Sequence, residues 1–408
     1  MKKTLIFLFV ILCSISFWKI DLRAEEIIYS SNYIMIEVKS GDVLYELGKD
    51  EIIYPASMTK IMTLLVALEF LDDYEEVVVI NPTVLIGLKE ANASVAGFKV
   101  GEAITIKDLL YGIILPSGAD ACEAIAQRVS GSEVDFVKEM NKKAEELGMV
   151  NTHFTNATGL HNNNHVSSVS DIATLLKVAL NNPTFKAIFE SKTYTTTPSN
   201  FHTKGLYLTS TTFAAAEEGM TYIQGGKTGF TLEAGLCLAS TATQDGMDLI
   251  LVTAHAPAEL GYQPLHLLDA KTLYEQAFSE YHRVKAISMN EELQQLPIGR
   301  KLEDTKVSVK AHEEISFLME KDKNRSDLEY YYEWNKINAP IHQGDLIQKL
   351  TISLAGETLG IYEFYAMEDI DADYLFELLS SKYSLYTSVS AAVIFLLVRH
   401  LRIRKKQL

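Results

Sequence analysis

Two short motifs, Ser57-Met58-Thr59-Lys60 and Lys227-Thr228-Gly229, are separated by 167 residues from lysine to lysine. A chain whose chemistry needs both must fold a helix start against a strand. A serine hydroxyl is a weak nucleophile at neutral pH, so a base has to be held against it and something else has to stabilise the oxyanion it creates. The run from Pro55-Ala56 through Ser57 to Leu68 is apolar and free of interior glycine or proline, which predicts a buried helix opening close to the serine. Ser57 and Lys60 then share a face. A lysine serves as a base only if its pKa falls about three units from roughly 10.4, at a cost on the order of 4 kcal/mol. Burial, a helix N-terminus and a second cation all push that way, and Lys227 is that cation if its strand runs beside the helix start. Either motif alone is weak, the plain alternative being a helix-start serine with a solvated lysine. Together they read as a serine acyl-transfer site.

Context strengthens the pair. Gly225-Gly226-Lys227-Thr228-Gly229-Phe230-Thr231 precedes an apolar run from Ala234 to Thr243, then Gln244-Asp245-Gly246, then Met247 to His255. This predicts a strand, a tight turn and a returning strand. The small residues around Lys227 let a substrate backbone lie along the hairpin edge, with the Phe230 amide aimed inward. Helical periodicity from Pro264 to Phe278 predicts a helix packed back over the sheet.

Residues of about 30 to 280 resemble the D-alanyl-D-alanine carboxypeptidases, the low-molecular-mass penicillin-binding proteins. The resemblance rests on ordered motifs: Ile34-Met35-Ile36-Glu37 with Ser40 to Tyr45, Tyr54 to Lys60, Gly101-Glu102 through Asp108 to Gly112, Asn156-Ala157-Thr158-Gly159-Leu160 followed by His165, and Gly226 to Gly229 with Ala234-Gly235. It implies an α/β (α+β) fold of the penicillin-binding-protein and β-lactamase-like transpeptidase type. That fold has a five-stranded antiparallel sheet with flanking helices, beside an all-helical subdomain over roughly residues 60 to 200, with the site at their junction. It also implies roles. Ser57 attacks the carbonyl between two terminal D-alanines of a peptidoglycan stem peptide, and Lys60 takes its proton. The amides of Ser57 and Phe230 form the oxyanion hole, while Lys227, Thr228 and Gly229 bind substrate, the first two receiving its terminal carboxylate. Ser117 relays a proton to the leaving D-alanine. No cofactor or metal is implied, and β-lactam antibiotics are expected as covalent inhibitors.

One position departs from this pattern. The family's second motif usually reads Ser-x-Asn, whereas Ser117-Gly118-Ala119 places alanine where the amide is expected. Losing that donor and acceptor predicts reduced activity, or a relative that binds peptidoglycan without turning it over. A β-lactamase shares both serine-site motifs, but no Glu-x-x-Leu-Asn segment is found to position a deacylating water.

The ends of the chain bear on location. Met1 to Thr4 and the apolar Leu5 to Trp18 resemble a signal peptide over residues 1–24, with an uncleaved N-terminal anchor as the alternative. Residues 383–401 are expected to form a transmembrane anchor, or an interfacial helix, followed by a basic cytoplasmic tail at 402–408. Between these lie an expected catalytic domain at 25–283, a β-rich domain at 284–372 and an acidic linker at 373–382. The β-rich assignment follows short strand patterns at Val307 to Lys310, Ile315 to Leu318, Tyr330 to Trp334 and Leu350 to Leu354. It loosely resembles the family's C-terminal domain. The predicted location is thus the outer face of the cytoplasmic membrane. A formal net charge of -16 despite the basic tail argues against nucleic-acid binding. Cys122 and Cys237 sit in apolar surroundings and read as buried thiols, a disulfide between them staying open. His161 and His165 flank Asn162-Asn163-Asn164, with no glutamate of a zinc helix, and read as loop or packing residues. Oligomeric state is not legible.

Overall fold

Strand-forming segments from both ends of the first 280 residues pair into one sheet, and the helical sequence between them folds against it. The computed structural model describes residues 27–404 except 218, 259–262, 302, 335 and 381. The expected signal peptide and residues 405–408 of the basic tail lie outside the described residues. The chain divides into two compact units, Met1–Ser279 and Glu280–Leu408.

In the first unit, β1 (Asn32–Glu37) and β2 (Val43–Leu47) form a hairpin. A 3-10 turn, Ala56–Thr59, runs directly into α1 (Lys60–Phe70). The following strands and helices are β3 (Val77–Val79), β4 (Ala103–Thr105), α2 (Ile106–Ile114), α3 (Ala119–Ser130), α4 (Glu133–Glu146), α5 (Val169–Ala179), α6 (Pro183–Phe189), β5 (Thr193–Thr195), β6 (Tyr207–Thr209) and α7 (Thr211–Ala215). Then come β7 (Ile223–Thr231), β8 (Gly235–Gln244), β9 (Met247–Ala256) and α8 (Leu265–Glu280). The five long strands form one antiparallel sheet in the order β2-β1-β9-β8-β7. Asp245 and Gly246 both take positive φ, 50° and 78°, and make the two-residue turn that Asp-Gly permits between β8 and β9.

The subdomain expected to be all-helical is not. Two ribbons, β3 with β4 and β5 with β6, interrupt it. Val77-Val78-Val79 is β-branched throughout, which stiffens χ1 and favours an extended strand over another helical turn. Helix starts are fixed by side-chain caps: Thr105 accepts from the Asp108 amide, Ser132 from Asp135 and Ser168 from Asp171.

α1 is the centre of this unit. Its residues from Lys60 to Leu68 are all buried, so the helix is enclosed on every side rather than lying with one face on the core. Ile61, Leu64 and Leu65 join Leu109 and Ile113 of α2, Ile125 of α3, Ile172 of α5 and Val252 of β9 in one apolar cluster. At the sheet, Asp269 of α8 accepts hydrogen bonds from the Tyr29 amide, the Ser30 amide and Ser30 Oγ at 2.8, 2.8 and 2.6 Å, pinning the approach to β1. Tyr274 Oη and Ser240 Oγ, 3.0 Å apart, tie α8 to β8.

Among the described residues the second unit holds three small sheets. Its strands are β10 (Tyr281–Ile287), β11 (Glu292–Gly299), β12 (Lys306–Lys310), β13 (Ile315–Glu320), β14 (Leu328–Glu333), β15 (Ile337–Asn338), β16 (Leu346–Leu354) and β17 (Glu357–Tyr365). They pair as β10-β13, β12-β11-β15 and β14-β16-β17 around a separate core that includes Leu296, Val309, Leu350, Ile352 and Phe364. Two helices end the described chain, α9 (Tyr374–Ser380) and α10 (Lys382–Arg404). The expected anchor at 383–401 falls within α10, but no helix among the described residues is long and apolar enough to cross a membrane. The uninterrupted apolar run is only Ala391 to Val398, bounded by Ser390 and Arg399, against the roughly 20 residues that a span requires.

Candidate active site

The 3-10 turn presents Ser57 through an unusual backbone. Ala56, immediately before it, takes φ 45°, a left-handed conformation that costs an alanine on the order of 1 kcal/mol or more. Two segments close on this turn. A β carbon built on Gly159, which has φ 81°, would stand 2.0 Å from the Ala56 carbonyl oxygen, so only glycine fits there. One built on Gly229 of β7 would stand 3.2 Å from the Ser57 nitrogen. The Lys227-Thr228-Gly229 strand therefore lies directly against the serine, as chemistry shared by the two motifs requires.

Lys60, three residues on, is buried and donates from Nζ to Ser57 Oγ at 3.0 Å. Its second acceptor is the Thr158 carbonyl. That carbonyl is set by Asn156, whose Oδ1 accepts from the Thr158 amide, Thr158 Oγ1 and the Gly159 amide at 3.2, 3.0 and 2.7 Å. Thr63 Oγ1 holds the neighbouring Ala157 carbonyl at 2.6 Å. Burial pushes the Lys60 pKa below its ordinary 10.5, with the thiol of Cys122 and the carboxylate of Asp120 working in the opposite direction. Lys227 is fully buried and donates from Nζ to the Thr228 carbonyl at 2.7 Å. Its pKa lies well below 10.5, first through burial and second through the charge of Lys60. The lysines thus face one another electrically, as the sequence suggested.

The third wall is the α2–α3 connection. Ser117 is buried with φ 61°, another left-handed non-glycine residue. Asp120 anchors the connection: its carboxylate accepts from the amides of Ala96, Gly97, Phe98 and Ala121 at 2.7, 2.9, 3.1 and 3.0 Å. Ala119, where an asparagine amide was expected, is buried at the same wall.

These walls enclose a cavity of about 730 Å³. Ser57, Lys60, Ser117, Thr228, Gly229 and Phe230 line it, so six of the seven residues singled out in the sequence converge there. Lys227 does not line it. Thr228 Oγ1 lies 2.7 Å from Thr211 Oγ1, a neighbour that the sequence did not flag because nothing in Thr211-Thr212 departs from an ordinary helix start. The Thr158 carbonyl was equally invisible, being backbone, although its segment was noted. Of the two histidines, His165 accepts the Thr155 amide on Nδ1 at 3.0 Å and so donates from Nε2 to Thr59 Oγ1 at 2.7 Å. Burial lowers its pKa to about 4, which keeps it neutral and structural. His161 lines the cavity with Nδ1 3.6 Å from Glu233. Cys122 and Cys237 are both buried free thiols, each pushed up to about 12 by burial. Among the described residues no three metal-ligating side chains cluster.

Comparison with known proteins places this geometry. Residues 21–258 match the sequence profile of the D-alanyl-D-alanine carboxypeptidase peptidases, and residues 281–372 match that of the penicillin-binding protein 5 C-terminal domain. The D-alanyl-D-alanine carboxypeptidase DacF of Bacillus subtilis is 33% identical over 85% of this chain and 88% of its own length. DacC of Escherichia coli is 28% identical over 83% and 84%. Among solved structures, penicillin binding protein 5 from Haemophilus influenzae superposes with a TM-score of 0.65 at 25% identity, covering 85% of this chain and 98% of that one. PBP3 from Streptococcus pneumoniae gives 0.68 at 23% identity, covering 85% and 100%, and speaks to the fold alone.

Proposed function

Because the chain belongs to the D-alanyl-D-alanine carboxypeptidase family and is thereby a serine peptidase, we propose that it removes the terminal D-alanine from peptidoglycan stem pentapeptides through an acyl-enzyme. The observation that carries this reading is the 3.0 Å contact between Lys60 Nζ and Ser57 Oγ, made in a buried pocket where the lysine's pKa is lowered.

The steps follow from the residues. Neutral Lys60 takes the Ser57 proton as Oγ attacks the carbonyl between the two D-alanines. The oxyanion is held by the amides of Ser57 and Phe230, on strands and turns that Gly229 allows to approach. The C–N bond breaks, the departing D-alanine nitrogen receives a proton by way of Ser117, and water then cleaves the ester to regenerate Ser57. Penicillin enters the same path at its lactam carbonyl and leaves a slowly hydrolysed ester. A substrate of this kind puts the enzyme's work outside the cytoplasm.

The test is D-alanine release from a synthetic pentapeptide by the whole chain beside its Ser57→Ala variant. Release that disappears in the variant is the expected result. No release from the folded parent protein sinks the reading, and saturable binding without turnover then identifies a peptidoglycan-binding relative.

A further inference from the structure

Where the turn after β7 meets the segment after Gly159, the cavity wall changes character. Leu160, His161, Leu232 and Glu233 line it there. His161 ties the two segments to the approach to Ser57: its ring stands edge-on to Tyr54 with centroids 4.8 Å apart, and its Nε2 lies 3.2 Å from Asn163 Oδ1. Leu232 is 89% exposed although apolar. Glu233 is the one carboxylate among the described residues that line the cavity. Its Oε2 is 3.6 Å from His161 Nδ1, longer than a hydrogen bond, so the carboxylate keeps its capacity to accept.

The direction of a bound stem peptide says what reaches this wall. Its terminal carboxylate is assigned to Lys227 and Thr228 and its scissile carbonyl to the Phe230 amide. The peptide therefore lies antiparallel to β7, and its earlier residues continue past Phe230 toward Leu232 and Glu233. An extended chain beside a strand advances at the same pitch, about 3.3 Å per residue, so the residue before the acyl D-alanine comes level with Thr231 and Leu232. In a peptidoglycan stem that residue is a diamino acid, an apolar methylene side chain ending in an amine. Leu160 and Leu232 suit the methylenes, and Glu233 suits the ammonium.

We propose that Glu233 is a specificity-determining residue whose carboxylate receives the free side-chain ammonium of the stem's diamino acid, so that the enzyme favours stems not yet joined through that amine. The identity of the ligand rests on the carboxypeptidase reading above. Once the amine has been acylated in a crosslink it is a neutral amide with a single N–H, and the charge that Glu233 would meet is gone. The Glu233 side chain is 44% exposed, so the pair is screened by solvent and its effect is modest and salt-sensitive.

D-alanine release by the full chain tests this with three peptides that share L-Lys-D-Ala-D-Ala and an acetylated α-amine. The side-chain amine is free in the first, acetylated in the second as in a crosslink, and succinylated in the third. At low ionic strength kcat/KM is expected to be about threefold higher for the free amine than for its acetylated form, the size of an exposed ion pair. Added salt should shrink that preference. Glu233→Gln should abolish it, and Glu233→Lys should turn it round in favour of the succinylated peptide, whose carboxylate then meets a cation. Release from the acetylated peptide reports that each variant is folded; should a variant not fold, the parent's preference and its salt dependence decide. A parent protein that does not distinguish the free amine from the acetylated one, or a preference that survives Glu233→Gln, overturns the role of Glu233. Absence of D-alanine release from all three peptides by the parent refutes instead the carboxypeptidase reading on which the ligand's identity rests.

Discussion

At the scale of single residues, the lysines set the terms. Lys60 and Lys227 are buried with pKa values below 10.5, whereas in the unfolded chain each titrates at its ordinary value. At neutral pH the unfolded state therefore binds more protons, and folding stability rises with pH. The penalty is absent above about pH 10.5 and grows as pH falls toward the lowered native values. Lys227→Met should accordingly raise the melting temperature at pH 7, with a gap that closes toward pH 10.5, while activity is lost; a gap independent of pH would refute the assignment. Ala119 is the second residue whose chemistry decides something. Its methyl lines the cavity where an amide could reach a substrate. Ala119→Asn is expected to raise the acylation rate severalfold in rapid-quench measurement, a hydrogen bond to substrate being worth about 1 kcal/mol. Acylation that is unchanged or slower would mean that the site is already complete without it. The Thr158 carbonyl could not be read from the sequence as a partner of Lys60, because a carbonyl has no letter of its own.

At the scale of elements, the site is where three of them abut: the Ala56–Thr59 turn, β7 and the Asn156–Gly159 segment. Gly159 is the contact with least tolerance. Gly159→Ala brings a methyl onto the Ala56 carbonyl and asks alanine to hold φ 81°, so it should cost at least about 2 kcal/mol and disturb Lys60 as well as fold stability. Chemical denaturation and D-alanine release measured together would check this, and a variant with parental values of both would contradict the packing described. The element pattern was largely legible. The β8–β9 hairpin was written in Asp245-Gly246, and α8 in its apolar spacing. The two short ribbons were not legible, because three-residue strands such as Val77–Val79 are too short for a period to show and gain their stability only by pairing with Ala103–Thr105, some 25 positions away. The span at 383–401 failed for a related reason: eight apolar residues and a basic flank resemble the end of a membrane helix without supplying its length.

At the scale of the whole molecule, the two units carry separate apolar cores, one centred on α1 and one on Leu350, Ile352 and Phe364. A domain with its own core can fold alone. We expect a fragment of residues 280–372 to refold by itself with a β-type circular dichroism spectrum and a cooperative thermal transition; a fragment without either would show that its strands depend on the rest of the chain. The fold of the first unit was implied by resemblance more than by periodicity, since the helices alone said only that α and β are mixed. What joined the distant motifs was chemistry: a serine that needs a base and an oxyanion hole could have both only if residues 57 and 227 became neighbours.

The grip on Lys60 also bears on how the family can drift. Its second acceptor is a main-chain oxygen, which persists whatever side chain occupies position 158. Substitution can alter that atom's position only by refolding the segment, and Asn156 and Gly159 guard against this. The orientation of this buried lysine is thereby insulated from substitution at its own contact, and it does not depend on a polar side chain at position 119.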